Sequence, residues 1–124
     1  MTVLLDTSVL IDFLRGHAGA TTLLRNLDEP ALSSEICRVE VLQGLRPDEE
    51  ALAGELFALI EWIAVIEPIA TRAGELGRRW RPSHSGIGPA DLIIAATTEL
   101  TESSLLTLNV EHFPMVKGLR AAYS

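Results

Sequence analysis

The sequence predicts an α/β fold, a three-layer α/β/α sandwich around a mostly parallel sheet of four to five short strands. Three observations predict it. Short apolar runs without polar alternation suit strands covered on both faces. Stretches of helical period separate those runs. Ser, Asp or Pro stands where several of the helices must begin. At 124 residues, 48% apolar and free of internal repeats or low-complexity tracts, the chain reads as a single domain over residues 1–124.

Val3-Leu4-Leu5 is the first strand, and Asp6-Thr7-Ser8 supplies N-cap chemistry for a helix from Val9 to Leu14 that Gly16 closes. Ala20 to Leu27 is helical in pattern, and Ala31 to Ser33 forms a short strand. Ser34 and Glu35 begin a helix carrying Ile36, Val39, Leu42 and Leu45, which Gly44 and Pro47 end. Asp48 caps the next helix, through about Ile60, and the β-branched run Ile63 to Ile66 suits a buried strand. Pro68 starts a helix reaching Trp80, and 81–88 is a polar loop. Pro89 opens a helix to Leu100, Ser104 to Leu108 is a strand, and Leu119 to Tyr123 is expected as an edge strand. Ligands of such folds lie beyond the carboxyl ends of the strands, where Asp6 and Asn109 fall.

Bulk properties narrow the function. The N-terminus lacks the basic region of a signal peptide, and no window approaches the roughly 18 apolar residues of a spanning helix. The expectation is a soluble, cytoplasmic protein without a membrane partner. Cys37 is the only cysteine and lies beside Ile36 and Val39, so it is expected as a buried, reduced thiol. Seventeen acids against ten bases give a net charge of −7, which by itself disfavours nucleic acid. Divalent cations gathered by some of those acids would reverse the field where a phosphate approaches.

Three acids stand out, each with an ordinary explanation beside the chemical one. Asp6 suits a helix N-cap. Asp91 follows Pro89 in a first helical turn, where the helix dipole favours any carboxylate. Glu40 lies in a largely apolar stretch of helix, where it is either solvated or a ligand. If the three share one pocket, each pair about 5 Å apart repels by roughly 3 kcal/mol at an effective dielectric of 20, so protons or cations must compensate. An all-oxygen cluster, with Asn109 and the hydroxyls of Thr7 or Ser8 nearby, favours Mg²⁺ or Mn²⁺ over zinc. The chemistry it suggests is metal-assisted phosphodiester hydrolysis, with Glu40 holding the ion that activates water.

Four stretches stand out together: Leu4-Leu5-Asp6-Thr7-Ser8-Val9-Leu10-Ile11, Val39-Glu40-Val41-Leu42-Gln43-Gly44, Pro89-Ala90-Asp91-Leu92-Ile93-Ile94-Ala95-Ala96 and Leu106-Thr107-Leu108-Asn109-Val110-Glu111-His112-Phe113. In order and spacing they resemble the PIN-domain family, and within it the VapC-like toxin ribonucleases of type II toxin–antitoxin systems. The resemblance implies a PIN-like sandwich in which Asp6, Glu40 and Asp91 hold Mg²⁺ or Mn²⁺ for RNA cleavage, leaving 3′-hydroxyl and 5′-phosphate ends. Thr7, Ser8, Thr107 and Asn109 would support them. It further implies an RNA substrate such as tRNA, rRNA or mRNA, arrest of translation, a cognate VapB-like antitoxin and often a homodimer. The departure is in the last stretch: a fourth acid often follows the Thr, where this chain has Asn109, and the acid often found three residues later is His112. A firm first metal and a weak second are expected, with His112 either a second-metal or phosphate contact or a packing residue.

Competing readings remain. A PIN module with weak chemistry would bind RNA or a protein partner without cutting, and a related metal-dependent nuclease would accept DNA. An aspartyl-phosphate mechanism at Asp6 wants a second Asp two residues on, where Ser8 stands. His17, His84 and His112 show neither zinc-ligand nor triad spacing. Arg78-Arg79-Trp80-Arg81 with His84 is either a solvated helix end or an approach for RNA backbone. Trp62 is expected to pack.

Overall fold

A computed structural model describes residues 2–124. Among them it shows four strands and six α-helices: β1 (Val3–Leu5), α1 (Thr7–Leu14), α2 (Ala18–Arg25), β2 (Leu32–Ser34), α3 (Glu35–Gln43), α4 (Glu50–Ala58), β3 (Glu61–Ile63), α5 (Glu67–Trp80), α6 (Pro89–Leu100) and β4 (Ser104–Leu106). The sheet runs β3-β2-β1-β4, and every pair is parallel. The chain first steps outward from β1 to β2 and β3, then returns to place β4 on the other side of β1. The reversal leaves a crevice between the carboxyl ends of β1 and β4, the usual ligand position in an open parallel sheet.

Burial explains the central strands. Leu4, Leu5, Val9 and Leu10 are fully or almost fully buried, and Leu105, Ile94, Ala95 and Ala96 complete the same core. Each large side chain removed from water stabilises the fold by about 1.5–3 kcal/mol. The small side chains of Ala95 and Ala96 suit the close packing of α6 on β2 and β4. Among the described residues no helix is long and apolar enough to cross a membrane.

Several boundaries differ from expectation. β2 begins at Leu32 rather than Ala31, and the helix expected from Asp48 is preceded by a 3-10 turn, Pro47–Glu49, whose Glu49 carboxylate accepts from the Arg46 amide at 3.0 Å. β3 covers Glu61–Ile63, not 63–66, because β2 has only Leu32 to Ser34 to offer as partners. Beyond them Val65 and Ile66 are exposed, not buried. β4 stops at Leu106. The segment 119–123 is not a strand: its Ala122 amide reaches the Thr107 carbonyl at 3.0 Å, and the Tyr123 side chain docks on α1.

Candidate active site

Register places Leu5 opposite Leu106, so Asp6 and Thr107 leave the sheet side by side at its carboxyl end. The Asp6 amide donates to the Leu106 carbonyl at 3.0 Å. Asp6 occupies the N-cap position of α1, yet its side chain makes no cap. Its Oδ2 instead accepts from the Thr107 hydroxyl at 2.6 Å and the Ser8 hydroxyl at 2.9 Å. Asp6 is 3% exposed, and among the described residues no basic side chain pairs with it. A buried carboxylate held by neutral hydroxyls alone keeps most of its charge uncompensated, which is costly unless a cation approaches.

Glu40 joins through the neighbouring residue. Helix α3 begins directly after β2, with the Ser34 hydroxyl accepting from the Ile36 amide at 3.2 Å, so it starts at the same carboxyl end of the parallel sheet as Asp6. The Thr7 hydroxyl donates to Glu40 Oε1 at 2.6 Å. Asp91 is the third residue of α6, where its Oδ2 accepts from the Gly88 amide at 3.0 Å. The same oxygen lies 3.3 Å from Nδ1 of His112, in the turn Val110–His112 after β4. His112 therefore faces one of the three acids rather than solvent alone.

The supporting residues differ in role. Thr107 Oγ1 also accepts from the Asn109 amide at 3.0 Å, and Ser8 Oγ accepts from the Leu108 amide at 3.1 Å. Asn109 thus joins through its backbone, while the residue itself is exposed. Each acid has its own contacts, Asp6 with Ser8 and Thr107, Glu40 with Thr7, and Asp91 with Gly88 and His112, and among the described residues no group of three or more Asp, Glu, His or Cys side chains is arranged to hold a metal ion. The donor set of Asp6, Glu40 and Asp91 is nevertheless all oxygen, suited in kind to a hard divalent cation.

Under the site, the Ser33 hydroxyl donates to the Leu5 carbonyl at 2.8 Å and the Cys37 thiol lies 3.9 Å from the same oxygen. Burial, with a smaller contribution from the Asp6 charge, pushes the Cys37 thiol above its ordinary value, which suits an inert core residue. Trp62 packs edge-on against Phe57, donates to the Phe57 carbonyl at 3.0 Å, and carries the Arg38 guanidinium 4.2 Å above its ring. Arg78 and Arg79 sit exposed in the last turn of α5. Sequence reasoning missed the pairing of Asp12 with Tyr123, whose phenol donates to Asp12 Oδ2 at 2.8 Å. Their only signal was a lone tyrosine in a segment expected to be strand.

The PIN domain family model matches residues 3–118. Ribonuclease VapC19 of Mycobacterium tuberculosis is 42% identical over 97% of this chain and 98% of its own length, and Ribonuclease VapC10 of the same organism is 38% identical over 98% and 93%. A toxin–antitoxin complex from Klebsiella pneumoniae contains a chain that superposes with a TM-score of 0.83 at 26% identity, covering 99% of both chains. The chain belongs to the PIN-domain family, in its VapC-like branch.

Proposed function

We propose that this protein is a Mg²⁺- or Mn²⁺-dependent endoribonuclease, the toxin of a toxin–antitoxin pair, which blocks translation by hydrolysing RNA phosphodiester bonds in the cytoplasm. One observation carries the reading: a buried Asp6, paired with no basic side chain among the described residues, is held by two hydroxyls at the switch point of a parallel sheet. The 42% identity with a protein named as a ribonuclease supports the substrate class. The solved toxin–antitoxin complex from Klebsiella supports an antitoxin as the partner; a VapB-like antitoxin and a second copy of the chain are proposed.

In this reading Asp6, Glu40 and Asp91 would hold the ion, which would supply water activation and charge neutralisation at the scissile phosphate. The chain's own task is orientation. Ser8 and Thr107 donate to Oδ2 of Asp6, and Thr7 donates to Glu40, so each carboxylate is held in a fixed rotamer with its remaining lone pairs free. His112 beside Asp91 is the contact through which a second ion or a substrate phosphate would be met.

A second reading has its own observation. With Asn109 exposed where an acid is expected and His112 against Asp91, the chain would be an RNA- or partner-binding module with weak chemistry. The deciding experiment incubates purified protein, freed of any antitoxin, with total cellular RNA in Mg²⁺, Mn²⁺ or EDTA, beside Asp6→Asn. Discrete metal-dependent fragments absent from the variant are expected, and the fragment ends name the RNA. Intact RNA in every condition with folded protein rejects the nuclease and favours the binding module; cutting of single-stranded DNA as readily as RNA redirects the substrate.

A further inference from the structure

Residue 107 is held from three directions, and one of them comes from a part of the chain remote from the acids. The peptide between Thr107 and Leu108 carries the Thr107 carbonyl on one edge and the Leu108 amide on the other. Ala122 donates to that carbonyl at 3.0 Å, and Ser8 Oγ accepts from that amide at 3.1 Å. Both edges of this plane are therefore pinned just beyond the last ladder residue of β4. The plane in turn sets the direction of the Thr107 hydroxyl, which donates to Asp6 at 2.6 Å.

The segment bringing Ala122 is anchored one residue later. The Tyr123 phenol donates to Oδ2 of Asp12 on α1 at 2.8 Å, and its ring lies 5.0 Å from the His17 ring, tilted 44°. Gly19 makes room for it: a Cβ at that position would lie 2.6 Å from Cδ1 and 2.9 Å from Cγ of Tyr123. A glycine in the first turn of α2 weakens that helix, and the seat of the tyrosine ring is its physical reason. Helix α1 begins with Thr7 and Ser8, so the anchor ties the hydroxyls that serve Glu40 and Asp6 to the segment that pins Thr107.

We propose that Tyr123 and the 119–123 segment form a positioning strap, clasped to Asp12 over Gly19, that fixes the Thr107 hydroxyl on Asp6 and thereby sets the rate of cleavage. Its effect on cleavage rests on the nuclease reading; its effect on geometry does not. Tyr123 is a positioning residue, since it contacts α1 and not the acids. Burial, followed by the Asp12 carboxylate, holds the phenol well above its ordinary value, so the clasp persists through the working pH range.

The test compares Tyr123→Phe, Gly19→Ala, Asp12→Ala and Asp12→Asn, the last of which keeps an oxygen to accept from the phenol. Amide hydrogen exchange at Leu108 and Asn109 reads the pinned peptide directly, and β1 amides report global opening. Tyr123→Phe, Gly19→Ala and Asp12→Ala are expected to speed exchange at Leu108 and Asn109 about tenfold while β1 protection is unchanged. In the same variants kcat should fall about tenfold with KM altered less than about twofold, and Asp12→Asn should stay near wild type. Unchanged exchange at Leu108 and Asn109, acceleration shared equally by β1, or Asp12→Asn as damaging as Asp12→Ala overturns the strap. Altered exchange with full kcat in an active enzyme overturns its link to cleavage. Wild-type protein that leaves RNA intact overturns the nuclease reading instead, and the exchange pattern alone then decides the strap.

Discussion

Asp91 carries two tasks that a substitution can separate. Its carboxylate accepts from the Gly88 amide at the start of α6, and the proposed chemistry asks it for a metal-facing oxygen. An amide keeps an acceptor for Gly88 but loses the charge. Asp91→Asn should therefore abolish cleavage with near-native stability, while Asp91→Ala should abolish it and also cost about 1 kcal/mol, measured by urea denaturation. Equal losses of stability in both would show that the charge, not the cap, matters to the fold. Asn109 offers the converse experiment, because it lies one residue past the Leu108 amide that Ser8 holds. Asn109→Asp should lower the half-saturating Mn²⁺ concentration about tenfold, read by calorimetry, since one added carboxylate raises the charge facing the ion. Weaker binding would place that side chain away from the ion.

At the scale of elements, α5 holds two glycines with opposite surroundings. A methyl group placed on Gly74 would meet nothing within 4 Å, whereas one on Gly77 would touch Leu92 Cδ1 at 3.0 Å on α6. Gly74→Ala should raise stability by about 0.5–1 kcal/mol through helix propensity alone. Gly77→Ala should gain less or lose stability, because the α5–α6 contact must yield. Thermal denaturation of the two variants checks the contrast, and equal gains would mean that Leu92 moves aside freely. Element boundaries carry the same lesson as these glycines. Three of the four residues in 63–66 are β-branched and favour a strand, but only Glu61–Ile63 finds a partner in β2, and Val65 and Ile66 stay in water. Propensity marks where a strand is permitted; the length of its neighbour decides where it ends.

For the whole molecule, the lone cysteine reports global stability. Cys37 is fully buried, and its thiol is raised above the ordinary value by burial first. The folded state therefore keeps its proton where an unfolded chain would release it. Its contribution to stability is complete below the unfolded thiol value and declines as pH rises through that value toward the folded one. Alkylation should thus be slow in native protein, fast in denaturant, and its native rate should track unfolding across core variants at any pH near the ordinary thiol value. Rapid labelling of folded protein would mean a local opening beneath the site. The net charge of −7 belongs to this scale as well: of the seventeen acids only Asp6 and Glu49 are buried, and the rest are at least partly exposed.

By itself the sequence determined the α/β class, the order of helices and strands to within a few residues, the buried thiol and the identity of the acids at element ends. These follow from local chemistry: apolar runs, proline and serine starts, and glycine stops act over a handful of residues. Tertiary structure alone decided that Asp6 is held by Thr107 rather than capping its own helix, that Glu40 is reached through Thr7, and that His112 turns to Asp91. The partners in these pairs lie 101, 33 and 21 positions apart, distances no local pattern encodes. Only the tertiary structure turned the expected edge strand at 119–123 into a strap, because β4 ends at Leu106 and the segment meets the Thr107 carbonyl just past it, while Gly19 opens a seat for Tyr123.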